Sequence, residues 1–326
     1  MVSETPENNT QAEGSEALAE PRFERSAKLL MAPPWYGEPA HDEVFSLGKL
    51  SRSGETWHVD IAPDTPTVAI SEQARTKYNL KDIPLVSDIR ARQKYPELSL
   101  VSGGSFLWIT DPVSRNSRLA CLRRDEEAKV DPGRLTGPAG RSGEPLSQTI
   151  EYETNEELMV FVKGYKHNQR PKLLAFYSKK DFIPAIQRKR LRQVRMILDD
   201  LLKRGKHKDA AVFARIRGGN DIEMVPIQSS RVGTIGAQDV ITRIEGREID
   251  RATSCFVFHD EPNNTLEVRK IIEYVLPHGY LVVGIYDGEL FGREASLEAP
   301  DELSSEPMVS TLAAYIGGVK SSQKSA

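Results

Sequence analysis

The chain has 326 residues, of which 39% are hydrophobic and 28% charged, and its net charge is −3. That length can bury a substantial core as one large domain or two small ones, and the balance argues against a globally basic nucleic-acid binder. No apolar run approaches a membrane span, no signal-peptide layout opens the chain, and Cys121 and Cys255 sit in apolar runs as buried free thiols would, so a cytoplasmic protein without a membrane partner is expected. In chain order, residues 1–24 hold hardly any large apolar side chain, which predicts a disordered tail. Short strand-like runs follow at 56–62, 67–71, 105–110, 118–123 and 159–162, with a hairpin turn at Asn116-Ser117 and a helix over 145–158. Apolar residues near helical spacing predict a long helix over 179–204. Beyond it, strands are expected at 210–217, 222–227, 240–244, 255–259 and 280–286. Helices are expected at 265–275 and from about 307 to 315, and a flexible tail over 317–326.

The densest chemical signal lies around the helix 145–158. A Gly/Pro turn, Gly137-Pro138-Ala139-Gly140, leads to Glu144 and then to Glu153, Glu156 and Glu157. On a helix these last three, at i, i+3 and i+4, share one face. Like charges there repel unless a cation sits among them, and hard oxygen donors at that density suit Mg2+ or Mn2+.

The strand-like run ending in Arg123-Arg124, the Pro-Ala-Gly turn, Glu144, the seven-residue spacer and Tyr152-Glu-Thr-Asn-Glu-Glu157 resemble the Nudix hydrolase signature, G-x5-E-x7-R-E-U-x-E-E-x-G-U with U aliphatic. The signature itself covers about two dozen residues, around 137–160. The chain departs from it at Tyr152, where the motif has Arg, at Thr154 in place of an aliphatic residue, at Met159 in place of Gly, and in a loop from Gly140 to Glu144 that is two residues shorter. The resemblance implies an α/β fold, a Nudix-like α/β/α sandwich with a mixed sheet. It divides the chain into a tail (1–24), a first part (25–163) carrying the motif, a basic α+β insertion (164–249), a closing part (250–316) and the tail (317–326).

The implied activity is metal-dependent hydrolysis of a nucleoside diphosphate linked to another moiety, a pyrophosphohydrolase reaction. Divalent ions would neutralise the phosphate oxygens and acidify the attacking water. Glu156 and Glu157 would be metal ligands, Glu153 a ligand or the base orienting water, and Glu294 of the late loop 287–294 a further ligand. Glu144 would be an outer carboxylate, and Arg124 would grip a substrate phosphate. The alternative is a catalytically degenerate Nudix fold that binds a nucleotide or nucleic acid.

From Lys163 to Lys208 there are fifteen Lys or Arg against three Asp. In a chain of net negative charge this segregation points to phosphate contacts with nucleic acid through Arg188, Lys189, Arg190, Arg192 and Arg195, or else to a solvated helix face. The helix 179–204 could also pair with a second copy of the chain.

Overall fold

The computed structural model describes residues 47–61, 100–126, 131–141, 146–166, 168–227, 237–244, 246–260, 265–288 and 293–323. The expected tail 1–24, the run 67–71 and Glu144 lie outside them. A ten-stranded mixed sheet has the order β1 (Leu47–Ser53), β2 (Thr56–Ile61), β10 (Gln238–Ile244), β11 (Arg247–Asp260), β12 (Thr265–Val275), β3 (Leu100–Thr110), β4 (Ser117–Arg123), β14 (Glu294–Glu298). Two short strands complete it: β5 (Leu135–Thr136) on β4 and β6 (Ala139–Arg141) on β3. A four-stranded sheet has the order β13 (Tyr280–Asp287), β7 (Leu158–Gly164), β8 (Lys172–Tyr177), β9 (Ile222–Pro226).

The two sheets pack face to face. Leu107, Ile109, Leu122, Ile272 and Leu297 of the large sheet meet Leu158, Val160, Leu174, Phe176 and Ile285 of the small one. Helices α2 (Ile183–Lys203) and α3 (His207–Phe213) cover the small sheet's far side, where Val194, Ile197, Leu201 and Phe213 pack on Met159, Phe161 and Tyr286. On the large sheet's opposite face lie α4 (Pro300–Leu303) and α5 (Ser310–Gln323), with Leu312, Tyr315, Ile316 and Val319 on Phe106, Trp108 and Cys121. Helix α1 (Leu146–Glu157) lies beside the small sheet, with Leu146 and Ile150 on Val101, Val268 and Cys255. The expected mixed sheet is present, and the expected three layers become four because a second sheet is inserted between the first and α2.

Two expected elements change type. Residues 265–275 form a central strand, hydrogen-bonded to β11 and β3, because Leu266, Val268, Ile272 and Tyr274 alternate with Glu267, Arg269 and Glu273. The β-branched Thr265, Val268, Ile271, Ile272 and Val275 suit that position. Residues 207–213 form a helix, whose Ala210 and Phe213, three apart, bury against α2's layer. At the C-terminal end, α5 runs on through Gly317 and Gly318 to Gln323, since Val319 is still buried on the sheet. The stretch 164–249, expected as an insertion, supplies β8 and β9 to the small sheet and β10 to the large one. No helix among the described residues is long and apolar enough to cross a membrane.

Candidate functional site

The motif helix is seated by polar contacts where its sequence is least apolar. Thr154, at the signature's aliphatic position, is fully buried, and its hydroxyl lies 2.8 Å from Ser105 Oγ on β3 and 2.6 Å from the Ile150 carbonyl. Asn155 acts like a piece of strand: its amide donates to the Phe176 carbonyl at 2.7 Å and accepts from the Phe176 N–H at 2.8 Å, tying α1 to β8.

The end of α1 passes into β7 with no intervening residue, so its last carbonyls need partners from elsewhere. Arg190 of α2 donates to the carbonyls of Asn155, Leu158 and Leu174 and to Gln193 Oε1. Gln193 Nε2 donates to Glu156 O at 2.8 Å and Gly288 O at 3.0 Å, and Gly288 N–H to Glu157 O at 2.9 Å. A side chain at Gly288 would overlap the Glu156 carbonyl, so glycine is required for this approach. The cation also answers the negative end of the helix dipole.

The three helix carboxylates converge, as their spacing predicts, and each faces a cation of the chain itself. Glu157 receives Arg293 Nη1 on Oε1 at 2.7 Å and the Ala139 N–H on Oε2 at 2.7 Å. Arg293 also grips the buried Asp287, through Nη2 at 2.8 Å and Nε at 3.0 Å. Glu156 lies 3.4 Å from Lys189 Nζ, which stands 3.1 Å over the Tyr152 ring, and Tyr152 hydrogen-bonds to Glu156 as well. Tyr152, at the motif's Arg position, thus supports a cation supplied by α2.

Glu153 is held against Gly140, where any Cβ would overlap its carboxylate. Burial first, then Glu157 and Glu156, push the Glu153 carboxyl well above the usual range, against the pull of Arg269 and Lys189. Burial also raises Glu156, with Lys189 opposing it. Arg269 donates to Pro138 O at 3.1 Å and Glu267 at 2.5 Å, and its Nε is buried without a partner among the described residues.

Glu294 is not brought to this cluster. It pairs with Arg123 across the β14–β4 ladder, and because Ala295 and Leu297 point into the inter-sheet core, Glu294 points to the other face. Arg124 follows β4 at the edge of the site, partly buried. Of the basic residues on α2, Arg188, Arg192 and Arg195 are exposed, whereas Lys189 turns to Glu156 and Arg190 is 1% exposed. Arg190 therefore cannot contact nucleic acid. It shares a helical stripe with Val194, Ile197 and Leu201, which a reading of contiguous charges overlooks. Since that stripe packs on the chain's own sheet, α2 lacks the seam that homodimer pairing would use; its exposed Met196 and Leu202 do not form a continuous stripe.

Mg2+ or Mn2+ would need open carboxylate oxygens. Both Glu157 oxygens are engaged, Glu156 is paired, and among the described residues no three His, Cys, Asp or Glu side chains are disposed to hold a metal. The described residues as arranged do not fit either ion. The residues that close the site, Arg293, Asp287, Gln193 and Arg269, fall outside the motif. For Arg269 the available signal was the two-residue alternation of 266–274; for Arg293 it was its place beside Glu294.

Neither a protein-family model nor a curated protein matches the chain. Among solved structures, a C. elegans Ap4A hydrolase in a binary complex is 8% identical, with a TM-score of 0.28 over 70% of this chain and 99% of that one. A NUDIX hydrolase from Alicyclobacillus acidocaldarius is 14% identical, with a TM-score of 0.32 over 68% of this chain and 90% of that one. Overlaps this loose establish no family, and the site stands on its own geometry.

Proposed function

We propose that the chain is a Nudix-like domain that binds a nucleoside diphosphate derivative without metal-dependent hydrolysis. The observation that carries this reading is the Arg293 bridge, which joins Glu157 to Asp287 where the signature would place a metal. A fixed guanidinium offers its charge to phosphate oxygens as a cation does, but it does not acidify a water for attack. The turn 137–140, part of the Nudix-like signature, lies against this group through the Ala139 N–H.

A second reading keeps the hydrolase, and the convergence of Glu153, Glu156 and Glu157 on one helix face favours it. On that reading Arg293 must leave Glu157 before a divalent ion can enter. One experiment separates the two. ADP-ribose, nucleotide sugars and dinucleoside polyphosphates are incubated with the protein and Mg2+ or Mn2+, and binding of the same compounds is measured in EDTA. The binding reading expects affinity that survives EDTA and no products with either metal. Metal-dependent product release that Glu156→Gln abolishes would establish the hydrolase instead.

A further inference from the structure

Arg124 and Arg293 face each other where β4 and β14 end and begin. The antiparallel register sets Leu122 against Ala295 and Arg123 against Glu294; Arg124 and Arg293 lie one step beyond its last pair, close enough that the charge of one acts on the other. Leu122 and Ala295 both point into the inter-sheet core, so two-residue alternation leans the two arginines toward that same face. Like charges directly opposite each other are destabilising, and they call for an anion between them. Arg293 is answered by Glu157 and Asp287. The Arg124 guanidinium, partly buried, has no hydrogen-bond acceptor among the described residues. Burial and then Arg293 lower its pKa, while Asp131, Glu157 and Glu267 act on it through charge alone.

We propose that Arg124 and Arg293 form a guanidinium clamp for a phosphoryl oxyanion, with Glu157 holding Arg293 in place when the anion is absent. The clamp rests on the nucleotide-binding reading and deepens it, because it assigns the diphosphate group to two named residues. Planar guanidinium forks match phosphate oxygens two at a time, and two of them flanking the ends of adjacent strands can span neighbouring phosphoryl groups. Glu157 and the ligand then compete for the same Arg293 nitrogen. That competition gives a signature opposite to a metal ligand's: removing the Glu157 charge tightens anion binding.

Calorimetric titration in EDTA with inorganic pyrophosphate, ADP and adenosine tests this on the full chain. Wild type should bind pyrophosphate and ADP, with adenosine weaker by about tenfold or more. Arg124→Met should weaken pyrophosphate by about tenfold, Arg124→Lys should fall between, and Glu157→Gln should tighten it several-fold. Should Arg124→Met fail to fold by circular dichroism, Arg124→Lys and Glu157→Gln decide. Pyrophosphate binding that is unchanged in the Arg124 variants, or weakened by Glu157→Gln, overturns the clamp. If ADP still binds wild type and Arg124→Met alike, the nucleotide reading survives without the clamp. If pyrophosphate binding depends on Arg124 but nucleotides add nothing, the clamp survives without that reading. No binding of either ligand overturns both.

Discussion

Arg190 is a cation that never reaches solvent, and the backbone carbonyls around it explain why. Its two terminal nitrogens serve Asn155 and Leu158, at the abrupt passage from α1 to β7, and Leu174 on the neighbouring β8. Burial lowers its pKa to about 9, which leaves it charged at neutral pH. Arg190→Met would fill much of the volume but leave those carbonyls unpaired, so unfolding stability should fall by about 3–5 kcal/mol. Arg188, two residues earlier and exposed, should change stability by less than about 0.5 kcal/mol when replaced by Gln. Urea unfolding of the two variants side by side checks the contrast. Equal losses would mean that Arg190 is not the cap described here.

Helix α1 joins the motif to the fold, and its seat on β3 is polar where the Nudix pattern has an apolar residue. Thr154→Val restores that apolar residue but strands Ser105 Oγ in a fully buried position. The single change should cost about 1–2 kcal/mol, and adding Ser105→Ala should recover most of it, since two matched apolar groups leave nothing unsatisfied. A double-mutant cycle by urea unfolding measures the coupling, and simple additivity would remove the argument. The same helix shows what the sequence could disclose. Its span, the gathering of its three carboxylates and most strands were legible because each depends on local spacing. The buried free cysteines were legible too, with the Cys255 thiol pushed up to about 12 by burial. The partners of the carboxylates were not legible. Lys189 lies 33 residues from Glu156 and Arg293 lies 136 from Glu157, separations that only the folded sheets close. Residues 265–275 form a strand where a helix is expected because apolar runs of that length fit either period, and the neighbouring strands decide between them.

Across the whole molecule, the layers are held together by charges buried between them as well as by apolar packing. Glu267 on β12 joins three of these parts: Arg269 on its own strand, Thr311 on α5 and Arg124 at the end of β4. Burial alone would raise the Glu267 pKa, but Arg269, then the Thr311 and Arg269 hydrogen bonds, and Arg124 more than offset it, so the carboxyl lies below its ordinary 4.5. Asp111 behaves alike: burial pushes it up, while Ser114 and the Val113 N–H hold it below 3.8. A carboxylate with a lowered folded pKa contributes stability that is fully present above its unfolded value and is lost as pH falls through the folded one. Acid should therefore weaken the fold below about pH 4.5, with Glu267 and Asp111 both contributing to the loss. Glu267→Gln should be less stable than wild type at pH 7, because Arg269 keeps its buried charge without a carboxylate beside it. It should lose less on acidification, so the two urea midpoints should converge as the pH falls below about 4.5 at constant ionic strength. Parallel curves across that window would show that Glu267 does not carry the acid dependence, and the inter-layer charge network would have to be assigned to other groups.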